Sequence, residues 1–141
     1  MRKRIWIVAL WCLTIWLTTA CMHGDVPPRI QAFISQYFPD SSIVLVETDN
    51  DDEMGQEYKV LLNDGTKIEF DLQGDWERVG RQKTGVPEKL IPPVIKQYLK
   101  TQYPNDVVTK LSKKPYGFKI ELSSDMDLRF NAQGQFMEEI D

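Results

Sequence analysis

The sequence contains very little cysteine, with two cysteines in 141 residues. Cys12 lies in the apolar N-terminal segment and would be removed with it, so Cys21 is the one cysteine expected in the mature chain. A single cysteine cannot form an internal disulfide, even in an oxidising compartment. The fold is therefore expected to depend on a packed apolar core, for which about 120 residues are enough.

Histidine is scarcer still, which argues against several classes of enzyme. The one histidine, His23, lies in a stretch expected to be an inert tether. Without His or Cys in the folded part, serine and cysteine triads and a catalytic zinc site are not expected. Glu69 and Asp71 could form a carboxylate pair, but alternating charges are ordinary on a solvated strand face. We predict that the chain is not an enzyme, and no cofactor is expected.

The chain also lacks an apolar run long enough to span a membrane. The basic residues Arg2, Lys3 and Arg4 precede an apolar run from Ile5 to Ala20, which is shorter than the roughly 20 residues that a spanning helix needs. A basic start, a short apolar stretch and small residues at its end are typical of a secretory signal. We predict a signal peptide at residues 1–20 and a tether at residues 21–26.

Residues 17–21, LTTAC, resemble the lipobox of bacterial lipoproteins, whose cysteine is diacylated and becomes the new N-terminus. The leucine lies one position further from Cys21 than in that pattern. Ordinary signal cleavage after Ala20 is the alternative, because Thr18 and Ala20 also suit that enzyme. The resemblance implies lipidation of Cys21 and an exported protein in the periplasm or at the cell surface, anchored to a membrane.

Removal of the signal makes the chain more acidic. The whole chain has 17 basic and 21 acidic residues, a net charge of −4. Residues 1–20 contain three basic residues and no acidic one, so about 14 basic and 21 acidic residues remain, a net charge of about −7. Nucleic acid is not an expected partner, because phosphate binding needs a basic stripe.

Two parts of the chain have closely related sequences. NDGTKIEFDLQGDW at residues 63–76 matches SSDMDLRFNAQGQF at residues 123–136, 60 positions later. Residues 27–40 match residues 92–105 without gaps, 65 positions later. The second copy is therefore five residues shorter.

The extra length of the first copy is expected in an exposed loop at the acidic stretch 49–55, because insertions collect in loops. The folded domain is predicted at residues 27–141, made of repeats 27–79 and 92–140.

Each copy is predicted to form a helix followed by four strands. Apolar residues first recur at helical spacing between prolines; these are Ile30, Phe33, Ile34 and Tyr37, and then Ile95, Tyr98, Leu99 and Tyr103. Apolar and charged residues then alternate with period two, which indicates strands with one buried and one solvated face. First strands are placed at residues 43–46 and 107–111. Asp64-Gly65 predicts a hairpin turn, and DLQG at residues 71–74 and NAQG at residues 131–134 predict type I turns.

These motifs resemble the PepSY-like domain family of exported bacterial proteins. The similarity covers residues 27–140 and depends on YFP at residues 37–39, QYP at residues 102–104 and FDxxGxW at residues 70–76. That family resembles the β-lactamase-inhibitor-protein fold, which implies an α+β fold with a continuous antiparallel sheet and both helices on one face. In that inhibitor the open sheet face holds a protein, but its disulfides are missing here, and inhibition of β-lactamase is not carried over.

The open sheet face is therefore the expected binding surface for an unknown envelope protein, with an inhibitor-like role as one expected form of that binding. Leu61 is the one apolar residue among the face residues that the alternation predicts, and Tyr116 at a hairpin tip could add an aromatic anchor. A solvated face that binds nothing is the alternative. The predicted binding residues are Lys59, Leu61, Lys67, Glu69, Lys119, Glu121 and Arg129.

The alternative function is a calcium-responsive periplasmic protein, since some members of the family have been described as calcium-regulated. Its ligands would come from the acidic loop 49–53, namely Asp49, Asp51, Asp52 and Glu53. An EF-hand counted from Asp49 fails, because Met54 and Val60 occupy its sixth and twelfth positions. A solvated loop is the ordinary interpretation.

The lipid anchor can be tested by Cys21→Ala. We expect this variant to leave the membrane fraction and become soluble, because one thioether-linked diacylglycerol would be lost. Immunoblots of membrane and soluble fractions measure the shift, with Ser35→Ala as a control that keeps the cysteine. A Cys21→Ala variant that stays in the membrane would contradict lipidation.

Overall fold

The computed structural model describes residues 26–51 and 55–140 and shows two α-helices and one eight-stranded antiparallel sheet. The first half of the chain contains α1 (Pro28–Tyr37), β1 (Ile43–Asp51), β2 (Gly55–Leu62), β3 (Lys67–Asp71) and β4 (Trp76–Gly80). After a short 3₁₀ helix, the second half contains α2 (Pro93–Gln102), β5 (Val108–Lys114), β6 (Gly117–Leu122), β7 (Asp127–Asn131) and β8 (Phe136–Ile140). The strands are neighbours in chain order from β1 to β8. The predicted α+β class and continuous antiparallel sheet are confirmed.

Both helices begin at a proline and end before the next one. Proline suits the first helical turn, where its missing N–H would have no partner. At the other end, the N–H of Phe38 donates to Ile34 at 2.8 Å, and the N–H of Tyr103 donates to Leu99 at 2.8 Å. In the part of the chain that the structure describes, neither helix is long and apolar enough to cross a membrane.

One apolar core lies between the two helices and the sheet. Phe70 of β3 and Phe130 of β7 are fully buried at its centre. The ring of Phe33 in α1 packs 5.3 Å from Phe70, and the ring of Tyr98 in α2 packs 5.4 Å from Phe130. Burial of one phenylalanine contributes about 2–3 kcal/mol. Because both helices contribute to the same cluster of buried residues, they lie on one face of the sheet.

The repeated turns before β4 and β8 let the helices approach the sheet. Gly74 and Gly134 have φ of +82° and +78° and donate N–H bonds to Asp71 and Asn131, as the predicted type I turns require. A Cβ on Gly134 would lie 3.1 Å from the Cβ of Val94 in α2. Glycine is therefore needed here for its backbone conformation and for its size.

The prediction of an acidic loop at residues 49–55 was wrong in part. The backbones of Asp49, Asn50 and Asp51 belong to β1 and pair with Glu57, Gln56 and Gly55 of β2. The added length of the first half therefore extends a hairpin, since each further residue gains a cross-strand partner. Similarly, β5 continues to Lys114, three residues beyond its predicted end.

The two halves of the sheet meet where β4 pairs with β5. This ladder is the shortest of the seven and joins Arg78 to Ser112, Val79 to Leu111 and Gly80 to Lys110. The junction lies in the middle of the sheet, so residues there belong to the centre of both faces.

Alanine substitutions at Gly65 and Gly134 would distinguish the loss of stability caused by backbone strain from the loss caused by crowding. Both glycines have positive φ, but a Cβ on Gly65 (φ +84°) meets nothing within 4 Å. We expect Gly65→Ala to lower the free energy of unfolding by about 1 kcal/mol, and Gly134→Ala by about 2–3 kcal/mol because the helix contact is also strained. Urea denaturation measures both. Equal losses would contradict a packing role for Gly134.

Candidate functional site on the open sheet face

The face of the sheet opposite the helices, called the open face, has two rows of side chains that cross all eight strands. The register places one residue of each strand in each row. The first, called the Gly80 row, contains in strand order Leu45, Leu61, Lys67, Gly80, Lys110, Glu121, Asp127 and Ile140. The second, called the Ser112 row, contains Glu47, Lys59, Glu69, Arg78, Ser112, Lys119, Arg129 and Glu138.

The two rows have small residues at the centre of the sheet. Gly80 of β4 and Ser112 of β5 are diagonal neighbours at the junction of the two halves. Long side chains flank both of them, so the surface is lowest at its centre. A depression of about 380 Å³ lies beside Gly80, lined by Gly65, Lys67, Glu69, Arg78, Gly80, Gln82 and Lys110.

Ion pairs connect neighbouring strands of the Ser112 row. Arg78 contacts Glu69 at 2.7 Å, which joins β4 to β3. Arg129 contacts Glu138 at 2.6 Å, which joins β7 to β8. Opposite charges at paired positions of antiparallel strands attract across a short distance.

The same arrangement continues in the Gly80 row and between the rows. Lys110 contacts Glu121 at 2.5 Å within the Gly80 row. Lys119 contacts Asp127 at 2.5 Å between the rows. Exposed pairs of this kind contribute about 0–1 kcal/mol each to stability, so their main effect is to hold the long side chains in place.

Lys59 connects the face to the acidic end of the first hairpin. Its ammonium contacts Asp49 at 2.6 Å and Glu57 at 3.2 Å. The pKa of Lys59 is raised above its ordinary value, first by the hydrogen bond to Asp49 and then by that to Glu57. The charge of Lys59 is therefore retained at any physiological pH.

A polar cluster around Asp64 fixes the rim of the central depression. Its carboxylate accepts hydrogen bonds from the Ser41 hydroxyl at 3.1 Å, the Thr66 N–H at 2.9 Å and the Arg81 guanidinium at 2.8 Å. Burial acts to raise the pKa of Asp64, but the bonds from Thr66, Ser41 and Arg81 outweigh it and leave that pKa lowered. The charged carboxylate thus holds the β2–β3 turn next to the segment after β4.

The structure places all seven residues predicted for binding on the open face. Five of them, Lys59, Glu69, Lys119, Glu121 and Arg129, form the ion pairs described above. Lys67 forms no ion pair with any side chain in the ranges 26–49 and 57–140. Whether these residues bind anything stays a prediction.

The surroundings of Leu61 and Tyr116 add two further features to the face. Leu61 is not its only apolar residue, because Leu45 of the edge strand pairs with it and is 45% exposed, and Ile140 lies in the same row. The Tyr116 ring lies under the guanidinium of Arg129, 5.5 Å from the ring centre. Tyr116 therefore closes one end of the face.

Sequence reasoning missed the residues that shape the centre, Gly80, Lys110 and Ser112. Alternation in KLSK at residues 110–113 contains the signal for Lys110 and Ser112, since the buried Leu111 lies between them. The role of Gly80 could have been suspected from the sequence, because glycine weakens a strand and often marks a place where another molecule approaches closely.

The predicted calcium site falls largely outside the side chains that the structure describes. Asp49 is bound to Lys59, and Asp51 lies at the end of β1. Asp52 and Glu53 lie outside the described residues, as does Cys21. No group of three or more His, Cys, Asp or Glu residues that could hold a metal ion occurs within residues 26–51 and 55–140.

Solved structures share this fold. A crystal structure from Bacteroides thetaiotaomicron, described as a "putative calcium-regulated periplasmic protein", is 32% identical, with a TM-score of 0.77 over 83% of this chain and 91% of that one. Two from Bacteroides vulgatus, each described as a "putative periplasmic protein", have TM-scores of 0.79 and 0.75. They are 24% and 28% identical, over 83% and 82% of this chain and 93% and 91% of theirs.

The sequence comparison agrees with the fold. No curated protein is a significant match. Residues 56–138, more than half of the chain, match the family described as "Putative beta-lactamase-inhibitor-like, PepSY-like". Since the eight-stranded sheet and its repeated turns lie within or next to this match, the chain belongs to the PepSY-like family.

Proposed function

We propose that the chain is an exported, non-catalytic binding module that holds a protein partner on its open sheet face, in an inhibitor-like manner. The observation that carries this proposal is the pair of complete rows across eight strands. Together they present a broad surface whose long side chains are already held by ion pairs. Side chains ordered before binding lose less conformational entropy when a partner arrives.

The composition of the face also suits a protein partner. The Ser112 row carries charges of both signs, and apolar residues lie at the ends of the Gly80 row, where Leu45 and Leu61 border a depression of about 300 Å³. Mixed charge gives specificity and orientation, while apolar contacts contribute affinity. A polyanion such as nucleic acid would instead need a face of one sign.

The same proposal covers the origin and the location of the module. The matching order of elements in residues 27–79 and 92–140 supports duplication of an αββββ unit. The periplasmic descriptions of the similar structures support export. A diacylated Cys21 would keep the open face close to a membrane, where the proposed partner is an envelope protein.

Charge reversal tests the face. We expect Lys67→Glu and Arg129→Glu each to reduce capture of the envelope partner at least about tenfold, because each places a repulsive charge at the contact. Quantitative mass spectrometry of proteins captured from envelope extract measures the loss, and circular dichroism checks the fold.

Lys100→Glu on α2 is the matched control, since it makes the same change in net charge at an exposed position away from the sheet. It should capture the partner as the wild type does. Equal capture by all four proteins would contradict binding through the open face.

A calcium-responsive role is the second candidate, favoured by the similarity to the structure described as calcium-regulated. Asp49, Asp51, Asp52 and Glu53 would supply the oxygen ligands. Calcium should then raise the melting temperature by several degrees, because a ligand of the native state stabilises it. The combined variant Asp52→Asn and Glu53→Gln should lose this rise. An equally small rise with magnesium and calcium would contradict a specific site.

A further inference from the structure

Gly80 has no evident role in the backbone of β4. Its φ lies outside the left-handed region, and a Cβ added to it would meet no atom closer than the Lys67 carbonyl oxygen at 3.9 Å. Other residues could therefore occupy this position without strain or crowding. Glycine within a strand weakens it and often marks a place where another molecule approaches closely.

In the second half of the sheet the corresponding position, in the edge strand β8, holds a large side chain. Ile140 of β8 pairs with Asp127 of β7 in the same way that Gly80 of β4 pairs with Lys67 of β3. The two positions are 60 residues apart, the offset of the strand repeat. Isoleucine thus lies where glycine lies in the first half, so the strand itself does not require glycine.

The missing side chain leaves a space between two lysines. Gly80 is the ladder partner of Lys67 on one side and of Lys110 on the other. Since neighbouring strands are about 4.8 Å apart, the two lysine backbones are about 10 Å apart across the glycine. That distance lets one small anionic group lie over Gly80 and reach both ammonium groups, with the Gln82 amide at the rim of the same depression.

The local charge favours an anion in this space. Lys110 is neutralised by Glu121, and Arg78 by Glu69. Lys67 is exposed and forms no ion pair with the side chains of residues 26–49 and 57–140, so it gives the centre of the face an uncompensated positive charge. The whole chain has a net charge of −4, so a positive site at the centre of the face contrasts with the negative charge of the rest of the molecule.

We propose that the depression over Gly80 is a subsite for an acidic side chain, Asp or Glu, of the protein held on the open face. Its carboxylate lies over Gly80 and accepts hydrogen bonds from Lys67 and Lys110. Leu61 and Leu45, next along the row, then contact an apolar residue of the partner beside the acidic one. This subsite rests on the proposed function and defines the chemistry of the partner.

The subsite can be tested with a defined peptide. The probe is acetyl-Leu-Glu-Leu-amide, with acetyl-Leu-Gln-Leu-amide and inorganic phosphate as controls, titrated into the isotope-labelled protein. We expect the Glu peptide to shift the amide resonances of Lys67, Gly80 and Lys110 in a saturable way. The Gln peptide should bind at least about tenfold more weakly, since it lacks the charge.

Gly80→Ala should weaken binding of the Glu peptide at least about tenfold while the melting temperature stays the same or rises by about 3 °C. That combination excludes damage to the fold as the cause. Lys67→Gln should weaken the same peptide and Lys100→Gln should not.

Several results would overturn the subsite. These are equal binding of the Glu and Gln peptides, a response to phosphate at the same residues and as strong, or unchanged binding by Gly80→Ala. If binding is unchanged in Gly80→Ala while Arg129→Glu still loses the envelope partner, the subsite is wrong and the binding face remains. If Arg129→Glu also keeps the partner, the proposed function itself fails.

Discussion

The burial of Phe70 and Phe130 beneath the two helices is the constraint on which the rest of the structure depends. Each ring is fully buried and meets an aromatic residue of a helix, Phe33 or Tyr98, in an edge-on contact. In each half a β-bulge next to the phenylalanine brings a second aromatic residue, Trp76 or Phe136, opposite it. With no disulfide expected, these aromatic contacts connect short helices to the sheet, and ten-residue helices are marginal without such support.

Because one face of the sheet packs against this core, the identity of the residues that point out from the other face is also determined. A shift of register by one residue would turn every buried side chain to water. Because the register is held by Ile68, Phe70, Leu128 and Phe130, the intervening residues are directed outward in aligned rows. The continuous surface of the open face is thus a consequence of core packing rather than of the ion pairs, which individually are weak.

Local features of the chain could be predicted from the sequence, and long-range ones could not. Prolines, glycines and period-two alternation act within a few residues, so helix ends, turns and buried positions such as Phe70 were predicted correctly. The extension of β1 to Asp51 was missed because acidic residues are unfavourable in strands, and their pairing with β2 outweighs that preference. The central depression was missed because Gly80 and Lys110 meet only through the pairing of β4 with β5, which no local pattern encodes.

The short ladder between β4 and β5 has a mechanical consequence. Every other boundary in the sheet is held by a hairpin and a longer ladder, whereas here the chain leaves β4 and passes through α2 before it returns in β5. The sheet is therefore expected to be most compliant along this line and to twist there first under load. Any molecule that contacts both Gly80 and Ser112 bridges the boundary between β4 and β5. Its binding would therefore reduce bending at this boundary and make the whole domain more rigid.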